Sequence, residues 1–145
     1  MSILVTDSGF APDDWAEDIV ALWDARDHRA IDLPASADPN ELAGRLPALD
    51  MIRVDFPNVA DGRGFTIVRQ LRRMGFTGRL RARGPMIADQ YAMARRSGFD
   101  EIEIPEDIAA RQTEDQWLAR ANWRAHDYQA RLRARPAALE TASAA

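Results

Sequence analysis

The chain has 145 residues, of which 46% are hydrophobic and 29% charged, and it carries a formal net charge of −4. This length and composition are typical of one globular domain with a sizeable core, and they exclude a disordered or fibrous chain. The absence of cysteine excludes disulfides, thiolate nucleophiles and cysteine-held metal clusters. Because all 19 basic residues are arginine, a Schiff-base lysine and a P-loop lysine are excluded as well.

The sequence predicts neither a membrane segment nor a metal site. No apolar run approaches the roughly 18 residues that a membrane span needs, and the first residues lack the basic flank and apolar stretch of a secretory signal. We therefore expect a cytoplasmic protein. The two histidines, His28 and His126, are far apart in the chain, which argues against a multi-histidine metal centre.

Charge is distributed unevenly along the chain. Residues 1–60 have a net charge of −8, residues 61–100 of +6 and residues 101–145 of −2. Binding to nucleic acid requires an extended basic footprint, which an acidic chain with a basic middle does not provide. The pattern favours a local anion site or internal ion pairing.

The N-terminal third reads as alternating short elements. Residues 2–6 predict a strand, and residues 12–26 predict a helix that starts at Pro12. Its apolar stripe would consist of Trp15, Ile19, Leu22 and Trp23. Residues 29–33 predict a second strand, and residues 38–46 predict a short helix with an aspartate N-cap.

The middle third has the clearest pattern. Strands are predicted at 49–57, 78–84 and 100–105, with helices at 64–76 and 85–99 between them. Strands that alternate with helices of this length form a parallel sheet with right-handed crossovers. Both helices then lie on the same face of the sheet.

The last third predicts a short turn or helix near 105–110 and a long helix over 113–133 with Trp123 off its apolar stripe. Residues 136–145 read as a disordered tail. The predicted fold is therefore a single α/β domain over residues 1–135. It has a short, mainly parallel sheet built on the central βαβαβ unit, and a long C-terminal helix.

The three middle strands share an unusual alternation, because each has one apolar and one charged face. The charged positions are Arg53, Asp55, Arg81, Arg83, Glu101 and Glu103. Parallel sheets are normally apolar on both faces. Three interpretations stay open: an ion-paired or solvated face, a polar cavity that holds an anionic ligand near Arg81 and Arg83, and a subunit interface.

Candidate ligand-binding residues follow the first two of these strands. Ligands of α/β folds bind where strands end and helices begin, because backbone N–H groups and the helix dipole favour anions there. Arg63 can donate a bidentate pair of hydrogen bonds to an oxyanion, and glycines let the backbone turn tightly. The candidates are Asp61, Gly62, Arg63, Gly64 and Thr66 after the first strand, and Asp89 and Gln90 after the second. For each, a purely structural role in a turn, a cap or an ion pair is the alternative.

A block of motifs over residues 56–104 resembles a known bacterial family. The motifs are Phe56-Pro57, Asp61-Gly62-Arg63-Gly64, Leu80-Arg81-Ala82, Asp89-Gln90 and Gly98-Phe99-Asp100. They occur in the same order and spacing as in a family of unknown function whose members are commonly labelled as oxidoreductases of sulfite reduction. The chain departs from that pattern at Thr66, where the family has serine, at Arg79, where the family tends to glutamate, and at Pro85-Met86.

The resemblance implies a context rather than a mechanism. Genes of this family tend to lie beside those for assimilatory sulfite reductase and the reductase of activated sulfate, so components of sulfite reductase are the implied partners. The residues themselves contain no flavin or nicotinamide motif and no metal set, and no cofactor is evident. Flavin or haem bound without a signature stays open.

Three functional hypotheses follow. The first is an accessory protein of sulfite assimilation that binds an oxyanion, a nucleotide phosphate or an acidic partner through the Asp61–Gly64 loop and the arginine strand. The second is an enzyme in which Asp61 or Asp89 is the general base and Arg63, Arg81 and Arg83 hold an anionic sulfur substrate. The third is a homodimer formed through the C-terminal helix and Trp123.

Overall fold

A computed structural model describes residues 2–22 and 28–126. Within these residues the chain forms one seven-stranded sheet in the order β2-β1-β7-β6-β5-β4-β3. The strands are β1 (Ser2–Thr6), β2 (Gly9–Ala11), β3 (Val20–Ala21), β4 (Ala30–Leu33), β5 (Met51–Asp55), β6 (Arg79–Arg83) and β7 (Glu101–Pro105). From β3 to β7 neighbouring strands are parallel, whereas β1 is antiparallel to both β7 and β2. The predicted α/β fold with a mainly parallel sheet is confirmed.

The helices follow the strands as the sequence pattern indicates. The α-helices are α1 (Arg63–Arg73), α2 (Tyr91–Ser97), α3 (Glu106–Arg111) and α4 (Glu114–Leu118), and short 3-10 helices occupy Pro39–Leu42, Leu46–Ala48, Ala88–Gln90 and Trp123–His126. In the described residues no helix is long and apolar enough to cross a membrane.

The hydrophobic core lies between the sheet and helices α1 and α2. Ile52, Leu80 and Ile102 belong to neighbouring strands, and their side chains are fully buried on the helix-covered face. Helix α1 contributes Val68 and Leu71, which are also fully buried. Both helices pack on this one face, as predicted, and the other face of β5, β6 and β7 carries the charged side chains.

Arg81 is the centre of the charged face. Its side chain is 0% exposed, and it lies next to Arg53 and Glu101 in the strand register. Its Nε donates to Glu101 Oε2 at 2.6 Å, and its Nη1 donates to Glu103 Oε1 at 2.9 Å and to Asp13 Oδ2 at 3.1 Å. Three carboxylates therefore neutralise one buried guanidinium.

Two further arginines extend this network along the sheet. Arg53 makes a bidentate pair with Asp32, at 2.6 and 2.8 Å, and donates to Glu103 at 3.0 Å. Arg79 donates to Glu101 at 2.9 Å and to Asp14. The charged face is therefore ion-paired at these three arginines.

Residues 12–19 run across the charged face, and we call them the strap. They connect β2 and β3, which are the opposite edges of the sheet. Six strand spacings amount to about 29 Å, and the nine residue steps from Ala11 to Val20 reach about 30 Å when fully extended. The strap therefore has to be almost straight, and Asp13 and Asp14 meet the arginines on the way.

The helix predicted over 12–26 is therefore wrong for the part that the structure describes. Residues 12–19 are irregular and Val20–Ala21 form β3, while 23–26 lie outside the described residues. A helix rises only 1.5 Å per residue and would cover less than half of the required distance. Trp15, expected in an apolar stripe, instead lies half-buried with its ring centroid 6.0 Å from the guanidinium carbon of Arg79.

The long C-terminal helix is a second correction. Helix α4 ends at Leu118, and a turn and the 3-10 helix Trp123–His126 follow. Trp117 of α4 is buried, but the residues that follow do not continue as one helix in the described part of the chain. Trp123 contacts Asp7 and Arg95 of its own chain. Its Nε1 donates to Asp7 Oδ2 at 3.3 Å, and the Arg95 guanidinium lies 4.8 Å from its ring centroid. The rest of 113–133 and the tail 136–145 lie outside the described residues.

Replacing Arg81 with methionine should destabilise the protein by about 3–5 kcal/mol, because Glu101, Glu103 and Asp13 would lose the cation that neutralises them. The matched control is Arg83→Met, two positions along the same strand, where the side chain is exposed. That change should stay within about 0.5 kcal/mol. Urea unfolding of both variants measures the difference, and equal effects would contradict the central role of Arg81.

The network should also make stability depend on pH. Burial by itself raises the pKa of Glu103, but the charge of Arg53 and hydrogen bonds from Arg81, Ser2 and Arg53 outweigh it and lower the pKa. Burial likewise raises the pKa of Asp13, but hydrogen bonds from the Trp15 backbone N–H and from Arg81 outweigh burial, so the pKa of Asp13 is lowered. Both carboxyl groups have a lower pKa in the folded chain than in the unfolded chain, so their ionised forms stabilise the fold above about pH 4.5. This stabilisation is lost as the pH falls through the folded-state pKa values.

We therefore expect the free energy of unfolding to decline steadily below about pH 4.5. Urea titrations at a series of pH values measure this slope. The variant Asp13→Asn should show a shallower decline, because it removes one of the shifted carboxyl groups. An identical slope in the variant would remove Asp13 from the network.

Candidate functional site

A cleft of about 430 Å³ opens at the carboxyl ends of β5, β6 and β7, and we call it the strand-end cleft. Its polar lining includes one row of the strand register, Asp55, Arg83 and Glu103. Ser2 joins them, because β1 runs antiparallel to β7 and pairs Ser2 with Pro105. Clefts at this edge are the usual ligand sites of open α/β sheets.

Arg83 is the cation that this cleft offers. Arg53, Arg79 and Arg81 all have carboxylate partners, whereas Arg83 has none within 4 Å among the described residues. Its side chain is exposed. Neighbouring Asp55 is half-buried and is likewise unpaired in the described part of the chain. The cleft thus presents a guanidinium with all its donors available and a carboxylate that can accept hydrogen bonds.

Glu103 links the cleft to the charged network. It accepts hydrogen bonds from Ser2 Oγ at 2.9 Å and from Arg53 and Arg81, and its lowered pKa keeps it ionised. A ligand in the cleft would therefore meet a fixed negative charge at one wall and the Arg83 cation at the other.

Gly84 shapes this cleft through its backbone. Its φ is +153°, and a Cβ built there would lie 2.1 Å from the carbonyl oxygen of Phe56. The Phe56 N–H donates to Arg83 O at 2.8 Å, and the Gly84 N–H donates to Glu103 O at 3.1 Å. Only glycine permits this close approach, which holds together the ends of all three strands.

The Asp61–Gly64 loop lies at the start of α1, with Gly62 as the residue that precedes the helix. Asp61 accepts from the backbone N–H of Arg63 at 3.0 Å and from its Nη2 at 2.7 Å. These hydrogen bonds lower the pKa of Asp61, which makes it a weak general base near neutral pH. The Arg63 side chain is 58% exposed and lines, with Thr66, a second cavity of about 550 Å³.

The other predicted residues mainly hold loops together. Gln90 donates from Nε2 to Val59 O at 2.9 Å and accepts from the Ile87 N–H at 3.0 Å, so it joins the two strand-end loops. Asp89 pairs with Arg120. Arg81 lies beneath the strap and lines neither cavity. A direct role of these three residues in ligand binding stays a prediction.

The structure places three of the predicted site residues at two separate cavities. Arg83 lies in the strand-end cleft, and Arg63 and Thr66 lie at the second cavity. Sequence reasoning missed Ser2 and Glu103 as cleft residues. Glu103 could have been found by aligning the strand ends with Asp55 and Arg83, but the position of Ser2 depends on the antiparallel pairing of β1 with β7. Among the described residues no group of three or more histidine, aspartate or glutamate side chains could hold a metal ion.

Comparison with known proteins gives one match. A family model described as "Bacterial protein of unknown function (DUF934)" matches residues 30–139. The match spans β4 to β7 and includes Arg83 of the strand-end cleft and Arg63 of the second cavity. It does not include β1, β2 or the strap. No curated protein and no solved structure matches the chain.

The two glycines of the Asp61–Gly64 loop should respond differently to alanine. A Cβ at Gly64 would lie 2.4 Å from the ring of Phe56, which is buried between Phe65 and Phe99, whereas a Cβ at Gly62 has nothing within 4 Å. We expect Gly64→Ala to cost about 1–3 kcal/mol through overpacking. Gly62→Ala should cost less than about 1 kcal/mol. Thermal and urea unfolding compare the two, and equal losses would show that the ring moves aside.

Proposed function

The chain belongs to the bacterial family DUF934, and we propose that it is a binding protein that holds an oxyanion-bearing ligand at Arg83, as an accessory component of assimilatory sulfite reduction. The ligand class would be a sulfur or phosphorus oxyanion, free or carried on a nucleotide. Arg63 at the second cavity is a weaker candidate contact for the same class of ligand, because an anion there would have to displace Asp61.

The observation that carries this proposal is the free guanidinium of Arg83 at the carboxyl end of the parallel strands. The other arginines of β5 and β6 are neutralised inside the protein, so a bound anion at any of them would have to displace a carboxylate. At Arg83 an anion gains charge-assisted hydrogen bonds without displacing a protein carboxylate. Asp55 beside it can accept from a hydroxyl or amine of the same ligand.

A binding role accounts for these residues better than general-base catalysis. Asp61 has a lowered pKa, and Asp89 is held by Arg120. The pKa of the Tyr91 phenol is raised by burial and by its hydrogen bond to Asp7, so it stays protonated. Neither Asp61 nor the Tyr91 phenol is therefore prepared to take up a proton from a substrate near neutral pH.

The link to sulfite reduction comes from the resemblance of the block at residues 56–104. Arg83 and Gly84 lie within that block, and so does the Asp61–Gly64 loop. Sulfite and sulfate are small oxyanions of the kind that a guanidinium binds in a bidentate way. Components of sulfite reductase are the proposed protein partners, which the accessory protein would supply with its ligand or hold in place.

Ligand binding should raise the thermal midpoint of the wild-type protein. We expect sulfite, sulfate or adenosine 5′-phosphosulfate, at about 100 times its dissociation constant, to stabilise the fold by roughly 2.7 kcal/mol and to shift the midpoint by several degrees. The shift should disappear in Arg83→Gln, because the variant removes the free cation while the core stays intact. Differential scanning fluorimetry measures both proteins, and titration calorimetry confirms the affinity.

The matched control is Arg111→Gln, which removes an exposed arginine from α3, away from both cavities. It should keep the full midpoint shift. A loss of the shift in Arg63→Gln but not in Arg83→Gln would move the site to the second cavity. No shift with any of the three anions would refute the proposal, and turnover that Asp61→Asn abolishes would replace it with an enzyme.

A further inference from the structure

Helices α1 and α2 carry an unusual excess of positive charge. Together they contain six arginines and no acidic residue. Acidic residues in the first turn of a helix are stabilising because of the helix dipole, yet both first turns lack them and α1 begins with Arg63. The dipole at the helix N-termini therefore does not explain the lack of acidic residues.

Half of these arginines form ion pairs or hydrogen bonds within the protein. Arg63 pairs with Asp61, Arg72 donates to Gly98 O at 3.0 Å and pairs with Asp100, and Arg95 pairs with Asp7. The others are Arg69, Arg73 and Arg96. All three are exposed, and among the described residues none has a carboxylate within 4 Å.

These three side chains share one surface. Arg69 and Arg73 are four residues apart and so lie on the same side of α1. Helix α2 packs beside α1, and the hydrogen bond from Arg72 to Gly98 brings the C-terminal ends of the two helices together. On α2, Met93 is one turn before Arg96, and 46% of its surface is exposed. We call Arg69, Arg73, Met93 and Arg96 the basic helix face.

The helix dipole accounts for part of this arrangement only. It favours Arg73 and Arg96, which lie in the last turns of their helices. It does not account for Arg69, and like charges four residues apart repel each other. The chain has an excess of acidic residues overall, yet none of those described places a carboxylate within 4 Å of these three cations, and Asp100, just after α2, pairs with Arg72 and not with them. An exposed methionine surrounded by arginines is the composition of a protein interface rather than of a solvated surface.

We propose that the basic helix face is a docking surface for an acidic patch on a different protein, with Met93 as its apolar anchor. A second copy of this chain fits poorly, because a two-fold interface would place the same cations opposite each other. Three arginines are also a small footprint for nucleic acid, whose phosphates the acidic remainder of the chain would repel.

The test uses a defined acidic probe on the whole chain. The probe is a synthetic peptide of glutamates with leucine at every fourth position, and its counterpart has glutamine in place of glutamate. Amide NMR shift mapping at about 50 mM salt should place the glutamate peptide on α1 and α2, with binding that weakens as salt is raised. The glutamine peptide should bind weakly or not at all.

Charge-matched variants identify the surface. The triple variant Arg69→Gln/Arg73→Gln/Arg96→Gln should lose about tenfold in affinity. The control Arg29→Gln/Arg111→Gln/Arg120→Gln removes three exposed cations elsewhere and should lose less than about twofold. The variant Met93→Ser should weaken binding while leaving its salt dependence unchanged.

Several results would overturn the proposal. Equal losses in the two triple variants would mean that only net charge matters. Shift changes away from α1 and α2, or no binding of the glutamate peptide, would show that this face is not an acidic-protein site. Tighter binding of a single-stranded oligonucleotide than of the peptide at equal salt would assign the face to nucleic acid instead. None of these results bears on the anion site at Arg83, which has its own variant.

Discussion

The buried charge of Arg81 links the register of the central strands to the position of the strap. A guanidinium with no exposed surface is tolerated only when carboxylates reach it with good geometry. Glu101 and Glu103 belong to the neighbouring strand β7, and Asp13 belongs to the strap that crosses the charged face. Strand register, strap position and charge are therefore coupled, since shifting β7 by one residue would turn both glutamates to the opposite face.

This coupling accounts for part of the uneven charge of the chain. Acidic residues of the strap and β4 meet arginines of β5 and β6 in one ion-paired layer, through the pairs of Asp32 with Arg53, Asp14 with Arg79 and Asp13 with Arg81. The strap can be rich in polar residues because it covers charged side chains rather than an apolar surface. Its extended path also closes the face that the helices leave uncovered.

The arginines divide into those that build the fold and those that remain available. Arg53, Arg79 and Arg81 are all held by carboxylates, and Arg53 and Arg81 among them position Glu103. Glu103 belongs to both the network and the strand-end cleft, which ties the charge of the cleft to the integrity of the sheet. Arg83 at the strand end and the arginines of the basic helix face have no carboxylate within 4 Å among the described residues, and they are the cations that we propose to bind other molecules.

The middle of this protein could be predicted from its amino-acid pattern alone. Alternation of apolar and charged residues located β5, β6 and β7, helical spacing located α1 and α2, and their order fixed parallel strands with both helices on one face. The pattern also placed Arg63 and Arg83 at the strand ends, where ligands bind. The sequence could not show that residues 12–19 are extended, because the stripe from Trp15 is helical in spacing and only the positions of β2 and β3 at opposite edges forbid a helix. Nor could it show which arginines are free. That depends on contacts such as the one between Asp13 and Arg81, which are 68 residues apart and meet only when the strap crosses the sheet.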